Sequence, residues 1–168
     1  NGQYVGYSED SFTPSDFDLT PYLKEGTNRL ALQVFRFSSG SWIEDQDFWR
    51  FSGIFREVML YTKPAVHLDD LRVTAEPIHE YQDGKLHLDM KWNNGAAHKV
   101  AIELYDAETG DCLLAEEQQV EGLSSSFEAE LKGVKLWSAE EPNLYRAVIS
   151  VEDAEGHLLE VIPQNIGF

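Results

Sequence analysis

The chain of 168 residues is poor in cysteine and has no long apolar run. Its single cysteine, Cys112, excludes an internal disulfide and any cysteine-rich zinc site. No stretch of 18 or more apolar residues occurs, so the sequence predicts neither a membrane-spanning helix nor a signal segment. One cysteine is compatible with a reducing compartment, and we expect a cytoplasmic protein, with the periplasm as the alternative.

Basic residues are also scarce, with 13 lysines and arginines against 30 acids and a formal net charge of −17. Nucleic acids and anionic membrane surfaces would repel such a chain, so neither is expected as a partner. The charge excludes these two classes of function without selecting another, because acidic surfaces commonly serve only to keep proteins dispersed.

The second half of the chain alternates apolar and polar residues in short segments separated by turns, the pattern of an immunoglobulin-like β-sandwich. The clearest case is 85–92, where Leu86, Leu88, Met90 and Trp92 share one face. Trp137, Tyr145 and a buried Cys112 are expected to belong to the core. The predicted strands are 68–75, 85–92, 100–105, 112–118, 127–131, 145–151 and 157–162.

The first half predicts too few strands to close a sandwich of its own. Segments 3–8, 28–37 and 55–62 read as strands, and Pro21 opens one helical turn at 21–24, with Thr20 as its N-cap. We therefore expect an all-β protein of two domains. Residues 1–65 form an incomplete domain, and residues 66–168 form a complete sandwich of about seven strands.

One stretch fits neither a plain strand nor a plain loop: residues 45–56, DQDFWRFSGIFR. A carboxylate accepts hydrogen bonds from sugar hydroxyls while an aromatic ring covers the apolar face of a sugar, so this composition suits a carbohydrate site. The residues alone leave two alternatives open. Asp45 and Asp47 could pair with Arg50 or Arg56 in a structural ionic network, or they could form a self-contained glycosidase pair, which needs one acid buried.

Other chemistry-bearing patterns are missing. The five histidines are scattered without metal-ligand spacing. Residues 44–47 lack the turn glycine and the terminal glutamate of a calcium-binding EF loop. Phosphate-loop, dinucleotide-binding and nucleophile-elbow motifs do not occur.

At residues 45–56 the sequence closely resembles the end of the sugar-binding domain of β-galactosidases of glycoside hydrolase family 2. The segment 136–146, LWSAEEPNLYR, resembles the hallmark of the immunoglobulin-like domain of that family. Further resemblance lies at 1–8, 17–19, 26–30 and 166–168.

This resemblance implies a jelly-roll sugar-binding domain, cut short here, followed by an immunoglobulin-like domain. Both catalytic glutamates and the magnesium site of the family belong to a (β/α)8 barrel, so no catalytic residue and no cofactor are expected in these residues. Asp47 then contacts the hydroxyls of a terminal galactoside and, in some members, ligates sodium. Asp45 is a second substrate-binding candidate, and Trp49 shapes the wall of the site.

The resemblance also bears on assembly. The expected partners are a galactoside substrate and further copies of the same chain, since unpaired strand edges and exposed rings favour association. Some tetrameric members send a long loop from the second domain into a neighbouring active site, but the corresponding region, 120–126, is short. The alternative function is a non-catalytic carbohydrate-binding or structural interaction module.

Overall fold

The computed structural model describes residues 1–9, 12–43, 53–96 and 98–168. Two compact units divide the chain, Asn1–Leu60 and Tyr61–Phe168, and each is described by itself. Within the described ranges, no helix is long and apolar enough to cross a membrane. Regular structure is almost entirely β, which confirms the predicted fold class.

The first unit contains two short 3₁₀ helices, Thr20–Tyr22 and Ser39–Trp42, in its described part. The helical turn expected at 21–24 is present with Pro21 in its first turn, but Leu19 rather than Thr20 occupies the cap position. The carboxylate of Asp18 accepts the Thr20 N–H at 2.9 Å, which replaces the expected cap.

The strands expected at 3–8, 28–37 and 55–62 do not form among the described residues, and this part of the prediction is wrong. A strand exists only where a neighbouring strand supplies a ladder of backbone hydrogen bonds. Side-chain contacts hold two of these segments to other parts of the unit instead: the Asn1 side chain accepts the Arg29 N–H at 3.1 Å, and the Arg56 guanidinium donates to the carbonyl of Phe12 at 3.0 Å. An apolar composition therefore does not specify a strand by itself, because pairing also depends on a neighbouring strand.

The second unit is a sandwich of seven antiparallel strands, as predicted. One sheet has three strands in the order β1-β2-β5, and the other has four in the order β4-β3-β6-β7. The strands are β1 Leu68–Ile78, β2 Asp83–Trp92, β3 His98–Asp106, β4 Cys112–Val120, β5 Ser124–Leu131, β6 Tyr145–Glu152 and β7 Leu158–Ile166.

The core lies between the two sheets and is built from alternate residues of the central strands. In β2, Leu86 and Leu88 are fully buried and Met90 is 1% exposed, as the alternation predicts. Burial of each such side chain contributes about 1.5–3 kcal/mol relative to exposure. From the other sheet, Ile102 and Ile149 are also fully buried and lie opposite each other in the β3–β6 ladder.

The segment that follows β5 closes one end of the sandwich. The N–H of Trp137 donates to the carbonyl of Phe168 at 2.8 Å, and the Phe168 ring packs edge-on against Tyr145 with centroids 5.3 Å apart. The Tyr145 hydroxyl accepts the backbone N–H of Lys135 at 2.7 Å. Tyr145 and Phe168 are therefore core residues of the second unit.

Two of the expected core residues are exposed. Trp137 lies between β5 and β6 rather than in a ladder, and its side chain remains 52% exposed in the described residues. Cys112 begins β4 as predicted but is exposed. The β3–β4 register is irregular next to Leu104, so the alternation that turns Leu114 inward does not extend to Cys112.

Candidate functional site

The residues that the sequence selects for sugar binding lie outside the described residues. These residues are Asp45, Asp47 and Trp49, and all three fall within 44–52. The sodium ligation that the resemblance implies for Asp47 lies outside the described residues for the same reason. The structure describes the chain on either side of this segment. We call residues 38–43 the N-terminal stem and residues 53–56 the C-terminal stem.

The N-terminal stem is a tight turn with reciprocal caps. The N–H of Ser38 donates to the hydroxyl of Ser41 at 2.9 Å, and the N–H of Ser41 donates to the carbonyl of Ser38 at 3.1 Å. The N–H of Ile43 donates to the carbonyl of Gly40 at 3.0 Å, which closes the 3₁₀ helix. Such a capping box satisfies N–H groups that a short helix leaves unpaired, so the stem has a defined geometry.

An acidic side chain from a distant part of the chain contacts this stem. The Ser39 hydroxyl donates to the carboxylate of Glu9 at 2.6 Å, and the Tyr7 hydroxyl donates to the same carboxylate. The hydrogen bond from Ser39 is the largest cause that lowers the pKa of Glu9, followed by the bond from Tyr7. Conversely, the pKa of Tyr7 is raised, chiefly by its bond to Glu9. Glu9 is therefore held as a carboxylate next to the N-terminal stem.

The C-terminal stem is tied to the same region of the first unit. The guanidinium of Arg56 donates to the carbonyl of Phe12 at 3.0 Å and lies over the ring of Phe55, 5.4 Å from its centroid. The rings of Phe12 and Phe55 pack edge-on with centroids 6.2 Å apart. Gly53 adopts φ +87°, a left-handed conformation that other residues rarely adopt, so the sharp change of direction there requires glycine.

The second unit has an open concavity of about 480 Å³ where the β3–β4 turn meets the segment before β6. The ammonium group of Lys135 lies 3.3 Å from Asp106 and 3.0 Å from Glu108. Backbone N–H groups of Thr109 and Glu108 lower the pKa of Asp106 most strongly, ahead of Lys135. Since both oxygens of Asp106 already serve the turn and the ion pair, this group is structural rather than catalytic.

Among the described residues, one group could offer three ligands to a metal: Asp153, Glu155 and His157. The carboxylate of Asp153 accepts the backbone N–H groups of Glu155 and His157 at 3.0 and 2.8 Å, and its other oxygen lies 3.0 Å from His157 Nδ1. The bond from the His157 N–H is the largest cause of the lowered pKa of Asp153. These contacts stabilise the β6–β7 turn and leave the carboxylate little capacity for a metal.

The hallmark segment 136–146 is held by a local network. The side-chain amide of Asn143 donates to the carbonyl of Leu136 at 2.9 Å, and the hydroxyl of Ser138 accepts the N–H of Glu141 at 3.0 Å. These bonds fix a loop that leads into Tyr145 at the start of β6. The segment therefore has a structural role in the second unit.

The contact between Glu9 and Ser39 is not predicted by the sequence. The two residues are 30 positions apart, and neither belongs to a motif that signals a site. An acidic residue such as Glu9 and a serine-rich turn such as 38–41 usually indicate a solvated surface. Only the folded arrangement brings Glu9 next to Ser39 in the N-terminal stem.

Comparison with known proteins covers the whole chain. The family model described as glycosyl hydrolases family 2, sugar binding domain, matches residues 1–64, and the model described as glycosyl hydrolases family 2 matches residues 66–168. The chain is 45% identical over 168 residues to a β-galactosidase of Clostridium acetobutylicum and 47% identical over 175 residues to one of Halalkalibacterium halodurans. All of this chain is covered in both cases, but it spans only 19% and 17% of those relatives.

Solved structures agree with this assignment. The β-glucuronidase 3 of Bacteroides uniformis matches 73% of this chain and 15% of its own, with a TM-score of 0.62 and 27% identity. The β-glucuronidase 2 of the same organism matches 90% of this chain and 20% of its own with a TM-score of 0.70, and its 22% identity supports the fold alone. These named relatives all act on glycosides. The chain therefore belongs to glycosyl hydrolase family 2, as its resemblance at residues 45–56 and 136–146 predicts.

Proposed function

We propose that this chain is the sugar-recognition and scaffold part of a retaining β-galactosidase, which removes terminal non-reducing β-D-galactose. The observation that carries the proposal is full coverage of the chain at 41–47% identity by curated relatives named β-galactosidase. In this proposal the catalytic carboxylates lie outside the 168 residues. The second unit serves as a rigid β-sandwich scaffold.

Asp47 is the proposed residue for recognition of the galactosyl hydroxyls, with Asp45 as a secondary contact and Trp49 as an apolar wall. A carboxylate accepts hydrogen bonds from two hydroxyls, and an indole face covers the C–H surface of the sugar. Carboxylate oxygens also suit hard cations, so Asp47 fits a sodium ligand by donor type. A magnesium ion is proposed for the complete enzyme at ligands beyond this chain.

Activity of the complete polypeptide tests the proposal. It should hydrolyse a chromogenic β-galactoside, whereas the 168-residue chain alone should not. Asp47→Ala should lower kcat/KM about 100-fold, because charge-assisted hydrogen bonds of about 1.5–3 kcal/mol each are lost from the bound sugar. Asp45→Ala, a matched removal of one carboxylate two positions away, should have the smaller effect.

Two results would contradict the proposal. Hydrolysis by the 168-residue chain, lost in Asp47→Ala, would instead favour a self-contained pair of carboxylates. Galactose binding by the 168-residue chain in calorimetry, with no turnover by the complete polypeptide, would favour a non-catalytic binding module. Sodium ligation has its own readout: replacing sodium with potassium should raise KM in the wild type and leave Asp47→Ala unchanged.

A homo-oligomer is proposed as the assembled state. The first unit exposes many large apolar side chains in its described residues, among them Leu32, Phe35, Val58, Met59 and Leu60. Apolar surface of this extent usually contacts other protein; in the 168-residue chain a second copy would cover it, whereas in the complete polypeptide the rest of the same domain also contributes cover. Light scattering on the 168-residue chain should give a mass that is a multiple of one chain, and a monomer at high concentration would contradict this.

A further inference from the structure

The turn between β2 and β3 carries an asparagine that is directly followed by glycine. Asn94 and Gly95 are one of two such pairs in the sequence, the other being Asn1 and Gly2. Asn94 is half-buried and Gly95 is exposed. Asparagine is a chemically labile residue, and a following glycine leaves the backbone free to fold back onto the side-chain amide. The pair therefore has the composition of a self-modifying site.

The hydrogen bonds around the Asn94 amide suit an attack by the Gly95 nitrogen. Oδ1 of Asn94 accepts the N–H of Ala96 at 2.9 Å. Negative charge develops on that oxygen when a nucleophile adds to the amide carbon, so the Ala96 donor stabilises the addition. Among the described residues, the N–H of Gly95 has no acceptor, so it can lose its proton without breaking a hydrogen bond. Nucleophile and carbonyl belong to adjacent residues, which makes the reaction unimolecular.

The same amide fastens the segment that precedes β1. We call residues 63–67 the entry segment. The side-chain amides of Asn93 and Asn94 both donate to the carbonyl of Ala65, at 2.9 and 2.6 Å, and Oδ1 of Asn93 accepts the N–H of His67 at 2.9 Å. A carboxylate at position 94 has no proton to donate, so it would place negative charge against the carbonyl oxygen of Ala65. Loss of the amide thus turns the shorter of the two bonds to Ala65 into a repulsion.

We propose that Asn94 is a site of spontaneous deamidation, and that its conversion releases the entry segment from the β2–β3 turn. Hydroxide takes the proton of the Gly95 N–H, and the nitrogen then forms a bond to the side-chain carbon of Asn94. The bond from that carbon to the amide nitrogen breaks, and ammonia leaves after it accepts a proton from water, which regenerates hydroxide. Water opens the resulting succinimide at either carbonyl carbon and gives aspartate or isoaspartate. The overall change consumes one water and releases one ammonia, with no oxidation or reduction.

Isoaspartate has a second effect, at the end of the sandwich. Its backbone runs through the side-chain carbons, so the chain between residues 94 and 95 becomes one atom longer and Gly95 has to shift. Gly95 lies against the β4–β5 turn: its carbonyl accepts the N–H of Gly122 at 3.4 Å, and a Cβ built at Gly95 would lie 3.4 Å from the Gly122 Cα. The longer backbone should therefore disturb this contact between the two turns as well.

Peptide mass mapping of the 168-residue chain after prolonged incubation tests the reaction. The peptide that contains Asn94 should show amide-to-acid conversion, faster at mildly alkaline than at mildly acidic pH, because the Gly95 nitrogen must lose its proton. Electron-transfer fragmentation should identify isoaspartate as well as aspartate. Gly95→Ala should deamidate about tenfold more slowly, because a Cβ restricts the backbone that closes the ring. Asn143, which is followed by Leu144, should stay intact.

Hydrogen exchange tests the release of the entry segment. Peptides that cover residues 61–68 should exchange about threefold faster in Asn94→Asp than in the wild type, because the bond to Ala65 is lost. Asn165→Asp adds the same charge in β7, where the side-chain oxygen still accepts from Arg146, and should leave the exchange unchanged. The incubated wild type, compared with its own fresh sample, gives the same readout without a substitution.

The outcomes decide both parts of the proposal. Conversion of Asn94 that is slowed in Gly95→Ala, together with faster exchange of the entry segment, supports it. If Asn94 stays intact in the folded chain and converts only in urea, the fold protects the amide and the proposal fails. Equal conversion rates in Gly95→Ala and wild type would exclude the succinimide route. Exchange in Asn94→Asp and in the incubated wild type that matches Asn165→Asp would refute the release of the entry segment.

Discussion

Gly84→Ala should destabilise the second unit because it forces a methyl group into the ring of Phe168. A Cβ atom built at Gly84 lies 2.6 and 2.7 Å from two carbons of that ring and 3.0 Å from Val134 Cγ1. Carbon atoms in contact normally stand 3.5–4.0 Å apart, so about 1 Å of overlap has to be relieved. The backbone conformation of Gly84 is not left-handed, so the effect is steric alone.

The ring has little freedom to move away. Phe168 is 7% exposed, its ring packs against Tyr145, and its carbonyl accepts the N–H of Trp137 at 2.8 Å. Overpacking a well-filled core usually costs about 1–3 kcal/mol. A loss of about 2 kcal/mol would lower the melting temperature of a unit of this size by roughly 8 °C.

Urea denaturation followed by circular dichroism measures the effect, with Gly95→Ala as the matched control. A Cβ at Gly95 would lie no closer than 3.4 Å to any neighbour, so this variant should stay within about 0.5 kcal/mol of the wild type. In the Gly84→Ala background, Phe168→Leu should cost less than it does alone, because the smaller side chain makes room for the methyl group. Equal stability of Gly84→Ala and wild type, or additive effects in the double variant, would refute the steric argument.

Two further perturbations test the second unit. Tyr145→Phe should lower the free energy of unfolding by about 1 kcal/mol in urea titrations, because it removes the acceptor of the partly buried hydrogen bond from the N–H of Lys135; no loss would show that water replaces the hydroxyl. Asp83 has its pKa lowered from 3.8 to about 2, first by Lys132, then by the Gly133 N–H, then by His79. Since the folded pKa lies below the unfolded pKa, Asp83 stabilises the fold above about pH 4, and this contribution is lost as pH falls from 4 toward 2. Asp83→Asn should therefore show a flatter decline of stability over that range than the wild type, and parallel curves would contradict the assignment.

The sandwich could be predicted from sequence because its strands are amphipathic and local. The alternation through Leu86, Leu88 and Met90 specifies both the strand and its buried face. Strand ends were less predictable: β1 continues through Pro77 to Ile78, and β7 continues through Pro163 to Ile166. Both are edge strands, where proline is tolerated because one side of the strand needs no ladder bond.

The first unit shows why the remainder could not be predicted. Segment 28–37 has the composition of a strand, but composition does not specify which neighbour, if any, offers a ladder. Likewise, the sequence selects Asp47 through a motif, whereas the contact between Glu9 and Ser39 joins residues from unrelated stretches. Contacts of that kind depend on the path of the whole chain and leave no local pattern.

The strand order of the sandwich has a kinetic consequence. Three of its ladders join consecutive strands across short turns: β1 with β2, β3 with β4, and β6 with β7. The other two, β2 with β5 and β3 with β6, close loops of several dozen residues; Leu88 pairs with Phe127, and Ile102 pairs with Ile149. Hairpins close in microseconds, whereas long-range pairing must first overcome loop-closure entropy. We expect the three hairpins to form early and the β2–β5 and β3–β6 ladders to limit the folding rate.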